Sequence, residues 1–179
     1  MGRKRKLENR DRILDGATGL LREGVYRDLT VDALARRIQM SKSTLYKYYR
    51  DKDHLVDAVV VQAARPLEEV FVQDSADRPL DGLRHVLRAW EAFADQCPAP
   101  LLLERDRLPP TASARVEGLF QRLADVLAAG VGNAADRGLL CVDRDLARIA
   151  LVATAQAGAL ERARGGAIGT VGLVDLVAV

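Results

Sequence analysis

Four side chains within residues 42–47 have the chemistry to read a nucleic acid. Lys42, Ser43, Tyr46 and Lys47 fall on one side of a short helical segment, while Leu45 and Tyr49 turn the other way. Ammonium and hydroxyl groups bond phosphate oxygens, and a lysine near a helix start also reaches acceptor atoms on base edges. Tyr46 offers a hydroxyl to a phosphate or a ring edge to a thymine methyl. A helix so equipped fits a major groove about 12 Å wide. Catalytic chemistry finds less material. His54 falls in the first turn of a helix, where it supports a cap or a phosphate contact, and His85 has no carboxylate or serine partner nearby in sequence. Cys97 and Cys141 stand far apart, imply no disulfide framework, and form no recognised zinc spacing with the histidines. Gly165-Gly166 lacks the surroundings of a phosphate-binding loop. No catalytic residue, metal ligand or cofactor is implied, and the chain reads as a protein that is not an enzyme.

A groove-reading helix needs a brace. Thr30 stands where an N-cap belongs, ahead of Val31, Leu34, Ala35 and Ile38 at i, i+3, i+4 and i+7, and Asp32 complements the helix dipole. Only Gln39 and Met40 separate this helix from Ser41, which caps the next one, expected to run to about Tyr49. Two helices joined so tightly cross at roughly 90–120°. Asp51 caps a fourth helix carrying Leu55, Val59 and Ala63, which Pro66 kinks or ends. Upstream, Ile13, Ala17, Leu20 and Leu21 mark a first helix, closed by a left-handed Gly24.

Charge divides the chain at the same place. Residues 1–52 hold 14 Lys or Arg against 7 Asp or Glu, and the remainder hold 13 against 18. A basic head on a mildly acidic body suits a polyanion that meets the head alone. The run Arg3-Lys4-Arg5-Lys6 lies in an arm, residues 1–8, that either tracks a minor groove or forms a weakly contributing tail. No signal peptide is legible. The longest apolar stretch, Ile149 to Leu160, is too short for a bilayer, which needs about 20 residues. No membrane is implied, and a cytoplasmic location fits.

Beyond the head the periodicity stays helical. Leu83, Val86, Leu87 and Trp90 share a face of one helix over 80–93. Prolines 98, 100, 109 and 110 bracket a short connecting segment. Val116, Leu119, Phe120, Leu123, Val126 and Leu127 mark a strongly amphipathic helix closed near Gly130 and Gly132. Leu146, Ile149, Ala150, Ala153, Ala157 and Leu160 mark another, broken at Gly165-Gly166. The fold class is all-α: an N-terminal helix-turn-helix three-helix head, residues 1–52, linked by a fourth helix to a helical ligand-binding and dimerisation body, residues 53–179.

Residues 10 to 63 resemble the head of TetR-family regulators. The resemblance rests on the helix ending at Glu23-Gly24, on Leu29-Thr30-Val31 and Leu34-Ala35, and above all on the run from Ser41 to Leu55. It implies Thr30 close to phosphates, Lys42, Ser43 and Tyr46 facing the groove, and Thr44, Lys47, Tyr48 and Lys52 on phosphates. Two positions depart from the family pattern. Ile38-Gln39 stands where the family has a small residue and glycine, which predicts a strained or altered turn. Ser43 stands where glycine is frequent, which bears on base readout.

The resemblance further implies a homodimer on a pseudo-palindromic double-stranded operator, its heads one helical turn apart. It also implies a repressor released by a small apolar or amphipathic effector. The Ala-rich helix over 146–160, with Gly158, suits close packing between subunits; an intramolecular core helix is the alternative. The tail from Ile168 to Val179 is short for a second dimer helix, as in a truncated chain or an abbreviated helix. Candidate effector contacts are Trp90, Phe93, Leu103 and Phe120, with His85 and Glu104 as polar markers, against plain core packing. The other functional readings are a ligand-independent regulator or activator, or a helical small-molecule-binding or enzymatic protein with a vestigial head.

Overall fold

The computed structural model describes residues 2–72, 77–166 and 168–179, with side chains from residue 5 onward. Helices dominate them: α1 (Gly2–Glu23), α2 (Val31–Arg37), α3 (Lys42–Leu45), α4 (Lys52–Phe71), α5 (Pro79–Gln96), α6 (Ala99–Leu103), α7 (Pro110–Asp136), α8 (Arg144–Ala163) and α9 (Leu173–Val177). Single 3-10 turns fill Tyr26–Asp28 and Arg105–Arg107. The chain divides into two compact units, residues 1–62 with 98–116, and residues 63–97 with 117–179. The first reaches beyond the expected boundary at residue 52. Leu101 and Leu102 of α6 are fully buried in it, and α6 lies against α1.

The first unit buries Ile13, Leu14, Ala17 and Leu21 of α1 together with Leu34, Leu45, Tyr49, Leu55 and Val59. Gly16 lets α1 and α2 approach closely, because a side chain there would run into Ile38 and Leu34. Several local expectations change. Gly24 does not take a left-handed conformation; a Cβ there would meet the Asp28 carboxylate at 2.8 Å. α1 begins at Gly2, so the basic run is helical instead of an extended arm. Lys, Arg, Leu and Glu all favour helix, and neither glycine nor proline interrupts residues 3–15. The α-helix after Ser41 stops at Leu45; residues 46–48 continue as turns, with Lys47 N–H on the Thr44 carbonyl and Tyr48 N–H on the Leu45 carbonyl. Pro66 sits inside α4, which continues to Phe71.

The second unit packs around Trp90, which is fully buried. Its ring meets Phe93 at 5.3 Å and Phe120 edge-on at 4.9 Å, and its Nε1 donates to the Ala155 carbonyl at 2.9 Å. α7 runs past Gly130 and Gly132, where the sequence placed its end. The Gly130 position faces Leu83 so closely that a Cβ would lie 2.7 Å from Cδ2, so this glycine serves helix packing. The true stop is Gly138 at φ 66°, and Gly165 at φ 89° plays the same part for α8. In each case the two closing N–H groups reach back to the last turn, as in a Schellman cap: Gly138 and Leu139 to Ala135 and Ala134, Gly165 and Gly166 to Arg162 and Glu161. The tail is tied down by an antiparallel bridge between Leu140 and Ala178, by Arg84 on Asp175 at 2.6 Å, and by the Thr170 hydroxyl donating to Glu91 at 2.7 Å. Among the described residues no helix is long and apolar enough to cross a membrane.

Candidate nucleic-acid interface

Three short-range caps set the starts of α2, α3 and α4. Thr30 Oγ1 accepts from the Ala33 N–H at 3.1 Å, Ser41 Oγ from the Thr44 N–H at 3.2 Å, and Asp51 Oδ1 from the His54 N–H at 2.8 Å. Each satisfies an N–H that the helix itself leaves unpaired. Ser41 Oγ also lies 3.0 Å from Ser43 Oγ and 2.8 Å from Thr44 Oγ1, which knits the hydroxyls at the start of α3 into one cluster.

The turn between α2 and α3 takes the strained form that its sequence predicts. Gln39 sits at φ 51°, the left-handed position of a Schellman cap, with its own N–H on the Arg36 carbonyl and the Met40 N–H on the Ala35 carbonyl. The Ile38 carbonyl is taken by Arg12 Nη2 at 2.8 Å. Two more contacts from α1 fix the residues after α3. Asn9 Nδ2 donates to the Tyr48 hydroxyl at 3.0 Å, and Arg10 Nε donates to the Tyr49 hydroxyl at 3.3 Å. Burial pushes the Tyr49 hydroxyl pKa up, opposed by Arg10. Asn9, Arg10 and Arg12 were not singled out from sequence, because their partners lie 26 to 39 residues away.

On this frame Lys42, Ser43, Tyr46 and Lys47 are all exposed, with Tyr46 54% accessible despite its ring, while Leu45 and Tyr49 are buried. Lys42 pairs with Asp32 across the turn. Thr30 is exposed at the head of α2, and Thr44 and Tyr48 are half-buried at the flank of α3. Lys52 differs from a free surface cation. Its Nζ donates to the Tyr26 carbonyl at 2.9 Å and lies 3.8 Å from the Tyr26 ring centroid. Desolvation lowers its pKa, and Asp53 and Asp28 partly restore it. Lys52 thereby ties the start of α4 to the turn before α2.

The candidate effector residues are divided between the two units. Trp90, Phe93 and Phe120 are buried against one another in the second unit, so aromatic core packing accounts for them. His85 is exposed, on the side of α5 away from Trp90. Leu103 and Glu104 belong to the first unit, Leu103 39% exposed and Glu104 within 3.5 Å of Arg107. Helical spacing alone cannot separate a pocket wall from a core stripe. Gly158 also has an internal neighbour: a Cβ there would lie 2.9 Å from Thr170 Cγ2, so it makes room for the tail and not for a second subunit. The exposed face of α8 is instead Leu146, Ile149, Ala153 and Ala157.

Residues 13–59 match the family described as bacterial regulatory proteins, tetR family. Two uncharacterized HTH-type transcriptional regulators of Mycobacterium tuberculosis strains are each 31% identical over 109 residues, a match that takes in 55% of this chain and 45% of theirs. The chain thus matches less than half the length of these curated relatives. Among solved structures, a TetR-family regulator from Agrobacterium tumefaciens superposes with a TM-score of 0.73 at 23% identity, over 97% of this chain and 99% of that one. The TetR-family regulator PfmR from Thermus thermophilus gives 0.69 at 22% identity, over 92% and 93%. FadR from Bacillus subtilis, in complex with stearoyl-CoA, gives 0.63 at 16% identity, again over 92% and 93%. These superpositions show a shared fold.

Proposed function

We propose that this chain, whose residues 13–59 match the tetR family of bacterial regulatory proteins, is a homodimeric transcriptional repressor of that family, released from a pseudo-palindromic operator by a small apolar or amphipathic ligand. The observation that carries the DNA-binding part is the joint exposure of Lys42 and Ser43 on α3 and of Tyr46 and Lys47 in the turns that follow it, with Leu45 buried between them. Phosphates are assigned to Thr30, Thr44, Lys47 and Tyr48, and base edges to Lys42, Ser43 and Tyr46. Lys52 acts on a phosphate through the turn that it braces or by direct contact.

Dimerisation is supported by the unpartnered stripe on α8. Leu146 and Ile149 are 57% and 58% exposed, and the small Ala153 and Ala157 extend the same face. A single head makes few phosphate contacts, so two heads about 34–36 Å apart are needed for tight selective binding. A ligand that prefers one head spacing shifts the dimer away from the operator. The fold neighbour that holds stearoyl-CoA favours an amphipathic effector over a small polar one.

Selection of bound duplexes from random DNA tests the reading. One palindromic site should emerge, bound with a steep negative dependence of log affinity on log salt, about 0.9 per neutralised phosphate. Tyr46→Ala should change the preferred sequence, whereas Lys47→Ala should weaken all sequences alike. Failure to enrich any sequence defeats the DNA-binding reading. Operator binding that survives a panel of fatty acids and acyl-CoAs favours the ligand-independent regulator.

A further inference from the structure

Arg5 and Lys6 of α1 and Lys47 beyond α3 line one open cleft of about 450 Å³, together with Asn9, Thr44 and Tyr48. Among the described residues no carboxylate lines it. Several other cations of the head are engaged: Lys42 pairs with Asp32, Arg37 with Glu23 and Arg50 with Asp51, while Arg10, Arg12 and Lys52 donate to Tyr49, Ile38 and Tyr26. Arg5, Lys6 and Lys47 have no ion-pair partner among the described residues. Three like charges in one concavity repel one another and raise the local positive potential until an anion enters. The neutral groups suit the same occupant. Asn9 Nδ2 donates to the Tyr48 hydroxyl oxygen at 3.0 Å, which leaves the hydroxyl proton free to be donated elsewhere. The Thr44 hydroxyl is oriented by Ser41 at 2.8 Å.

We propose that this cleft is a further backbone-binding site of the head, taking a DNA phosphate beside the groove that α3 enters. Arg5 and Lys6 supply its charge, Tyr48 donates a hydrogen bond, and Asn9 is a positioning residue that acts through Tyr48. The inference rests on the DNA-binding reading above and adds α1 to its footprint. It also changes the part of the basic run. A minor-groove arm is an extended segment that leaves the globular head. Here helical backbone holds Arg5 and Lys6 at a fixed place beside Lys47 and Tyr48, the two residues assigned to phosphates above.

The experiment uses the full chain and the duplex enriched from random DNA. Affinity is measured against salt for the parent, for Arg5→Gln with Lys6→Gln, and for Asn9→Ala, Tyr48→Phe and their combination. Glutamine keeps helix propensity, both residues it replaces are exposed, and circular dichroism verifies the fold. The double glutamine variant should bind at least tenfold more weakly at 0.1 M salt, with a slope shallower by about 1 to 2 and the same preferred sequence. Asn9→Ala should weaken binding in the parent but have no further effect beside Tyr48→Phe, a coupling that a purely structural asparagine would not show. An unchanged slope and affinity for the double glutamine variant, with the parent still selective, overturns the cleft and leaves the DNA-binding reading standing. An altered sequence preference in that variant also overturns it, since it would place Arg5 or Lys6 on bases. A parent that selects no duplex overturns the DNA-binding reading itself.

Discussion

At φ 51° the Gln39 backbone carries a side chain where the Schellman turn is best served by none. The left-handed conformation costs a non-glycine residue about 1–2 kcal/mol, part of which a glycine gives back through its freer unfolded chain. Gln39→Gly is therefore expected to stabilise the head, by up to about 1 kcal/mol, read as a higher melting temperature with DNA selectivity retained. The neighbouring Lys42–Asp32 pair is governed by a different balance. Both side chains are more than half exposed, so the pair contributes little to stability, about 0–1 kcal/mol. Asp32 nevertheless competes with DNA for the Lys42 ammonium. Asp32→Asn should raise affinity for every duplex by up to about fivefold at low salt, with the gain fading as salt rises.

At the scale of the element, the caps decide whether α2, α3 and the start of α4 exist. α3 has one turn and no intrinsic stability of its own. Ser41→Ala removes the acceptor for the Thr44 N–H and loosens the Ser43 and Thr44 hydroxyls. It should cost about 1 kcal/mol in thermal or urea unfolding and weaken operator binding as well. Asp51 adds a pH dependence. The His54 N–H, and then Arg50, hold its carboxyl below the ordinary carboxylate range. A depressed folded value means that the stabilisation is present above the unfolded pKa of about 3.9 and is lost as pH falls through the folded one. The melting temperature should decline below about pH 4, and Asp51→Asn should flatten part of that decline. An acid profile identical in the two proteins would show that other carboxylates govern it.

For the whole molecule, the proposed function depends on two copies. The stripe of Leu146, Ile149, Ala153 and Ala157 has no partner in the described chain, although an apolar face of this kind is costly to leave in water. Ile149→Glu places a charge within this stripe at a position already 58% exposed. In sedimentation the parent should run at twice the 19.5 kDa chain mass, and Ile149→Glu as a folded monomer with operator affinity reduced by at least tenfold. A monomeric parent that binds its operator tightly would contradict this arrangement.

The sequence by itself determined what depends on near neighbours. Thr30, Ser41 and Asp51 each bond an N–H three residues ahead, so a capping residue before an apolar repeat was enough to place α2, α3 and α4. The exposed face of α3 follows from the same periodicity, and the missing glycine at Gln39 announced its strained backbone. The tertiary structure alone decided everything that reaches across the chain. Asn9 finds Tyr48 39 residues away, and Lys52 turns toward the Tyr26 carbonyl instead of into solvent. Trp90, Phe93 and Phe120 close on one another as core, and Gly130 and Gly158 serve packing where local rules suggested a helix end and a subunit contact. Residue spacing encodes which side of a helix is apolar, but the neighbour that covers that side is set by packing between elements distant in sequence.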